Sequence, residues 1–217
     1  MNVLIVAATE FEIGPWLNRN KSHIPREDSL ITGVGMTATA FTLTKYLQNR
    51  KYDLIIQAGV GGSYTEDLGL GDVVFVSSDQ FGDAGAEDHD KYLDLFEMGL
   101  VSENQFPFSA KKLINPLEVV SNRIVLPQVS GLTVNTVSGS ERTIKLRKEK
   151  YGCQVESMEG AAFHYVCLQE KVAFAQIRAI SNYVTPRDKS RWKMKDAIVN
   201  LNEWLINFIE SLRFVNF

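Results

Sequence analysis

The sequence predicts an α/β fold, a single domain over residues 1–217 with a central mixed β-sheet flanked by helices. Three observations carry this expectation. Apolar runs rich in β-branched residues recur along the chain and are continuous rather than alternating, as in strands covered on both faces. Between these runs lie segments whose apolar residues recur at helical spacing. The 217 residues are 45% hydrophobic and 23% charged, an ordinary globular composition long enough to bury a full core.

Taken in order, Val3–Ala8 reads as the first buried strand. Thr9-Glu10-Phe11-Glu12 follows it and fits a capping box, with Thr9 as N-cap and Glu12 reaching back from N3. The cap is the simpler reading. The functional one points Glu12 into a crevice where it orients a water, and both hold if one carboxylate oxygen caps while the other faces the site. Gly33-Val34-Gly35-Met36-Thr37-Ala38 matches G-x-G-x-x-A ahead of a helix over Thr37–Gln48. A dinucleotide site would need its acid at the end of the second strand. Asp53 instead begins the strand Leu54–Ala58, so a nicotinamide or flavin site is discounted and no cofactor is expected.

Gly59-Val60-Gly61-Gly62-Ser63 then offers three glycines, more than a tight turn needs. It reads either as a turn or as a ligand-facing loop in which glycine permits positive φ and close backbone approach. Asp72 is most simply a turn residue before the strand Val73–Ser77. The stretch from Phe81 to Pro127 is irregular, and a segment that long is commonly functional or an oligomer contact. Strands are expected over Leu132–Val137, Cys153–Ser157 and Phe174–Ile180, with helices over Glu141–Lys150 and Glu159–Glu170. The last helix is the clearest: Met194, Ala197, Ile198, Leu201, Trp204, Leu205, Phe208 and Leu212 form one apolar stripe that should close the sheet.

Several function classes are disfavoured. A net charge of −3 argues against a nucleic-acid surface, and the basic runs Lys145–Lys150 and Arg187–Lys195 read first as solvated faces. Cys153 and Cys167 have no metal-type spacing and look like small buried residues. His23, His89 and His164 show no ligand pairing, His164 reading as a hydrogen-bonded core residue, so no metal is expected. No apolar run approaches the roughly 20 residues of a membrane span. Met1–Ala8 lacks the basic start of a signal peptide. A soluble, cytoplasmic protein is expected.

The most informative stretch runs from Ser157 to Asn182. It places Glu159 where a strand turns into a helix, and Asn182 at the end of the next strand. Ligands of α/β sheets bind at the carboxyl ends of strands. A carboxylate there accepts hydrogen bonds from sugar hydroxyls, and an amide offers a donor and an acceptor to a purine edge. Individually, Glu159 also reads as a helix-start acid and Asn182 as a turn residue.

These residues, with Ala8-Thr9-Glu10-Phe11-Glu12, Gly33-Val34-Gly35, Gly59–Gly62, Leu70-Gly71-Asp72, Ser157-Met158-Glu159-Gly160 and Arg178-Ala179-Ile180-Ser181-Asn182, resemble the purine nucleoside phosphorylase and nucleosidase superfamily. Within it the chain looks most like the futalosine hydrolases, with the methylthioadenosine/S-adenosylhomocysteine nucleosidases next. The resemblance implies that Glu12 positions the attacking water, Glu159 binds the ribose 2′- and 3′-hydroxyls, and Met158 packs on the sugar. It further implies that Gly59, Gly61, Gly62 and Ser181 line the substrate and that Asn182 faces purine N7. The adenine-cleaving relatives carry an aspartic acid there to protonate N7. An asparagine donates a hydrogen bond but no proton, which favours a 6-oxopurine whose departing anion is delocalised onto O6.

A second departure is Ser138-Gly139-Ser140-Glu141-Arg142, where those nucleosidases have a base-stacking phenylalanine. Arg142 can stack by its guanidinium plane, or another aromatic supplies the platform. The expectation is N-ribosyl hydrolysis of futalosine to hypoxanthine, a step of menaquinone synthesis. Arg187, Lys189 and Arg191 are candidates for its aromatic carboxylate. The alternatives are a phosphate-dependent 6-oxopurine nucleoside phosphorylase, a methylthioadenosine/S-adenosylhomocysteine nucleosidase and a non-catalytic nucleoside-binding module. A homo-oligomer is expected, with the aromatic segment Tyr92–Phe108 completing a neighbour's site.

Overall fold

The computed structural model describes residues 1–19, 27–89, 91–116 and 123–212. His23 and parts of the irregular 81–127 stretch (90 and 117–122) lie outside the described residues. In chain order the first elements are β1 (Val3–Ala7), α1 (Gly14–Asn18), β2 (Glu27–Ile31), α2 (Met36–Leu47), β3 (Leu54–Ser63) and β4 (Val73–Asp79). A hairpin of β5 (Gly85–Asp88) and β6 (Lys91–Asp94) and a short β7 (Leu113–Ile114) follow. Then come β8 (Gln128–Thr133), α3 (Glu141–Tyr151), β9 (Val155–Ser157), α4 (Gly160–Gln169), β10 (Phe174–Tyr183) and α5 (Met194–Ser211).

The sheet order is β10-β4-β8-β9-β3-β1-β2, and β10 also pairs with β3. Five strands, β3, β10, β4, β8 and β9, therefore close into a ring, and β1 and β2 extend from β3 as a parallel wing. The sheet is mixed: β10 runs parallel to β3 and antiparallel to β4, and β9 runs antiparallel to β3.

At ten residues, β3 is long enough to change partners along one edge. Its first half, Leu54–Gln57, pairs with Val3–Val6 of β1, whereas its end, Gly62 and Ser63, pairs with β9. Between those two partners the ladder is open at Ala58–Gly61. The backbone groups exposed there must find partners elsewhere, and side chains supply them.

β1 shows why continuous apolarity is needed. Val3, Ile5 and Ala7 face a cluster built with Leu201, Leu205 and Ile209 of α5. Leu4 and Val6 face the opposite cluster, with Leu43 of α2 and Phe163 of α4. Each fully buried side chain of this size contributes about 1.5–3 kcal/mol of transfer free energy. The stripe expected on α5 is the buried one, and His164, Cys153 and Cys167 are buried as expected.

Four expectations need correction. Gly59–Gly62 is not a loop but the interior of β3, and none of these glycines has positive φ. The strand expected over Leu132–Val137 is Gln128–Thr133, because the Asp83 carboxylate takes the backbone N–H of Asn135 (2.6 Å) and Thr136 (3.2 Å), which ends the ladder. β10 continues to Tyr183 through a register shift between Ile180 and Asn182, so Asn182 lies inside the strand. Thr9 is no N-cap: α1 begins only at Gly14, after Ile13.

Candidate active site

A cavity of about 320 Å³ opens where one edge of β3, between β1 and β9, lacks a partner strand. Glu12, Met158, Glu159, Ser181 and Asn182 line it, with Gly61 and Gly62 as its floor. Residues far apart in sequence thus converge at the carboxyl ends of β1, β3, β9 and β10, where α/β proteins bind ligands. Phe11 and Trp192 add aromatic wall.

Glu12 sits in the turn after β1. Its Oε2 accepts from the Thr9 N–H (3.0 Å) and the Thr9 hydroxyl (3.2 Å), the reaching-back half of a capping box without the helix. Its Oε1 accepts from the Val60 N–H (3.2 Å), one of the groups left open on β3. The backbone of this turn is clamped from α5: Asn202 Nδ2 donates to the Glu12 carbonyl (2.8 Å), and Asn202 Oδ1 accepts from the Trp16 N–H (3.0 Å). Burial pushes the Glu12 pKa above its ordinary value; Arg178 opposes the rise and Glu159 adds to it. A carboxylate so placed is suited to accept a proton.

Glu159 occupies the N-cap position of α4, yet its side chain caps nothing on that helix. Oε1 accepts from the Gly35 N–H (3.0 Å), and Oε2 lies 3.5 Å from Arg178 Nη1. The discounted glycine motif has a role after all. Gly33 and Gly35 have φ of +87° and +92°, a conformation that favours glycine, and so aim the Gly35 amide at the carboxylate. Asp53 is remote from this, accepting from the Asn2 N–H at 2.6 Å at the other end of the strands.

Asn182 has a defined amide orientation. Nδ2 donates to the Tyr183 carbonyl (3.0 Å), and Oδ1 accepts from the Ser181 hydroxyl (2.8 Å). An amide nitrogen carries two protons, so one remains for a ligand. The glycines matter for space: a Cβ on Gly62 would lie 3.0 Å from Asn182 Nδ2 and 2.9 Å from Val184 Cγ2. A Cβ on Gly61 would meet Val155 Cγ1 at 2.9 Å. Gly59 lies beneath the cavity, and a Cβ there would stand 2.4 Å from Arg178 Nη1 and 2.9 Å from Glu12 Oε1.

Arg178 is the residue to which sequence reasoning gave no role. Its side chain is 1% exposed, and Nη2 donates to Gln57 Oε1 (2.9 Å) while Nη1 reaches the Val60 carbonyl (3.3 Å). The guanidinium thus occupies the other open backbone group of β3 and sets a positive charge beside both carboxylates. The signal was present: Gln57 and Arg178 are polar residues inside otherwise apolar strands, and buried polar groups of that kind are ordinarily paired, as these two are with each other.

Arg142 is not brought to this cavity. Ser140 caps α3, its hydroxyl accepting from the Thr143 N–H at 3.3 Å, and Arg142 in the first turn faces an adjoining cavity of about 650 Å³ with His89, Lys91 and Tyr92. Of the three cations after Asn182, Arg187 lines the site, whereas Lys189 and Arg191 belong to an exposed 3-10 turn. Among the described residues, none from Tyr92 to Phe108 lines this cavity, and no cluster of metal-ligating side chains is present. No helix of the described residues is long and apolar enough to cross a membrane.

Fold and site together define an α/β protein with a cavity lined by two carboxylates and one amide, at an interrupted edge of its central sheet. The chain belongs to the Phosphorylase superfamily, whose family model matches residues 29–211. It is 30% identical over 182 residues to the futalosine hydrolase of Streptomyces coelicolor, covering 81% of this chain and 75% of that one. It is also 30% identical to the futalosine hydrolase of Thermus thermophilus, covering 78% and 75%. A 5′-methylthioadenosine/S-adenosylhomocysteine nucleosidase of Staphylococcus aureus is 28% identical, over 70% of this chain and 66% of its own. Among solved structures, the futalosine hydrolase of Helicobacter pylori shares the fold with a TM-score of 0.76 at 16% identity, covering 97% and 98%.

Proposed function

We propose that this protein hydrolyses the N-glycosidic bond of futalosine, releasing hypoxanthine, and so acts in menaquinone synthesis. The observation that carries the reading is Asn182: an amide with its orientation fixed, one N–H to spare, in a cavity walled by Glu12 and Glu159. The 30% identity to futalosine hydrolases supports it.

In this reading Glu159 accepts hydrogen bonds from the ribose hydroxyls, held in place by the Gly35 amide and Arg178. Met158 packs on the sugar. As the bond to the base lengthens, positive charge grows on the sugar and negative charge on the base. The two carboxylates favour the first, and the Asn182 N–H, directed at N7, favours the second. Glu12 takes the proton from the attacking water, a task helped by a pKa raised through burial. Neutral hydrogen-bond donation suffices for a 6-oxopurine, whose anion spreads onto O6. An aminopurine would need a proton that asparagine cannot give.

The chain acts as one cytoplasmic unit, residues 1–217, assembling as a homo-oligomer in which the aromatic segment Tyr92–Phe108 of one copy completes the site of the next. Exposed Leu100 and Phe106 in that segment are consistent with a covered surface. The test is release of free base from futalosine, inosine and methylthioadenosine, each with and without phosphate. Hypoxanthine from futalosine without phosphate is expected. Release that requires phosphate makes the protein a phosphorylase, and adenine from methylthioadenosine makes it an aminopurine nucleosidase. Binding without release leaves a nucleoside-binding module.

A further inference from the structure

Beneath the site lies a buried carboxylate that the chemistry above does not use. Asp79 ends β4, fully buried, and its Oδ1 accepts from the Gln80 N–H (2.8 Å) and from the Thr133 hydroxyl (2.9 Å). Thr133 has a single hydroxyl proton. With that proton directed at Asp79, its oxygen is left purely as an acceptor, and it accepts from the Ala161 N–H at 2.7 Å, in the first turn of α4. The Ser157 hydroxyl lies 3.4 Å from the same oxygen and itself accepts from the Gly160 N–H (3.3 Å). The donors point one way, from Gly160 to Ser157 to Thr133 to Asp79, with Ala161 joining at Thr133, and the chain ends on a carboxylate.

The first amides of a helix need acceptors, ordinarily from the N-cap side chain. Here the N-cap residue is Glu159, and its carboxylate is turned away to Gly35 and Arg178. The hydroxyl chain does the capping instead. A buried anion at its end also complements the positive end of the α4 dipole. Gly160 allows the approach, since a Cβ there would stand 2.2 Å from Asp79 Oδ2.

We propose that Asp79, Thr133 and Ser157 form a surrogate N-cap for α4, with Asp79 and Thr133 as positioning residues that free the Glu159 carboxylate to face the cavity. The link to sugar recognition rests on the reading of Glu159 as the ribose-binding group. The capping itself does not.

Two breaking variants, Thr133→Val and Asp79→Ala, are compared with two that keep an acceptor in place, Thr133→Ser and Asp79→Asn. Amide hydrogen exchange on the ligand-free protein reads the cap directly. The Ala161 amide is expected to exchange at least about tenfold faster in the breaking pair, and at the parent rate in the conserving pair, the far end of α4 being unchanged throughout. Unchanged exchange at Ala161 in Thr133→Val or Asp79→Ala overturns the proposal, as does equal acceleration along the whole helix. The second readout is binding. The breaking variants should weaken inosine about tenfold and leave free hypoxanthine unaffected, because only the nucleoside offers ribose to Glu159. Equal loss for both ligands overturns the positioning role. Altered exchange in a protein that cleaves no nucleoside would refute the hydrolase reading while upholding the cap.

Discussion

At position 12 a carboxylate receives three hydrogen bonds from its own protein and still lines the cavity. Glu12→Gln keeps the shape of the group and removes its basicity. Hypoxanthine release is expected to fall by about 10²–10⁴ in kcat, the usual contribution of a general base, with KM changed little. A variant that retains parent kcat would remove Glu12 from the chemistry. In the parent, activity should decline as the pH is lowered through the raised Glu12 pKa, because only the ionised form takes a proton. Asn182→Asp tests the base. The new carboxyl keeps an oxygen for the Ser181 hydroxyl and adds a transferable proton. Adenine release from methylthioadenosine should rise at least about tenfold and hypoxanthine release from futalosine should fall. If the ratio of the two rates stays put, base choice lies elsewhere in the cavity.

At the scale of elements, β3 governs the site because it changes partners along its length. The Val60 N–H and carbonyl left between β1 and β9 are taken by Glu12 and Arg178, and Gly59 leaves room for both side chains. Gly59→Ala would place a methyl 2.4 Å from the Arg178 guanidinium, itself held at Gln57 and Glu159. We expect a loss of stability of about 1–3 kcal/mol, the range for overpacking a filled interior, together with a clear loss of activity; a fully active, equally stable variant would show that Arg178 has slack. The same region marks what the sequence made legible. Continuous apolar runs announced strands because local pattern carries them, and the structure brings Glu159 and Asn182, singled out in the sequence, to the wall of one cavity. The glycine run reads as a turn or a loop in the sequence because glycine's value here is room for side chains, Arg178 and Glu12 at Gly59 and Asn182 at Gly62, which arrive from distant parts of the chain. Stacking by Arg142, one of two platforms the sequence leaves open, finds no support in this cavity, because Arg142 lies in the first turn of α3 and lines the adjoining one.

For the molecule as a whole, buried titratable groups beneath the site shape the dependence of stability on pH. Burial pushes the Asp79 carboxyl up to about 6 from 3.8, against the hydrogen bond from the Thr133 hydroxyl, the charge of Arg178 and the hydrogen bond from the Gln80 N–H. Burial also pulls His164 down to about 4 from 6.5, its Nδ1 lying 3.0 Å from the Leu113 carbonyl. The two act in opposite senses. Between pH 4 and 6 the folded protein retains a proton on Asp79 that the unfolded chain has lost, so this group makes stability fall as pH rises. Over nearly the same window the unfolded chain holds a proton on His164 that the folded protein lacks, so that group makes stability rise. Each shift spans two pH units or slightly more and amounts to roughly 3 kcal/mol at 1.36 kcal/mol per unit. Their sum is nearly flat. Asp79→Asn removes the falling component and keeps the rising one, so denaturant titrations at pH 4 and 6 should diverge. Relative to the parent, the variant should gain roughly 2 kcal/mol between those two pH values, the part of the full effect that falls inside the interval. Parallel curves would mean that Asp79 ionises in the folded protein as it does in the unfolded chain, and the buried carboxylate would then owe nothing of its pH behaviour to its place under α4.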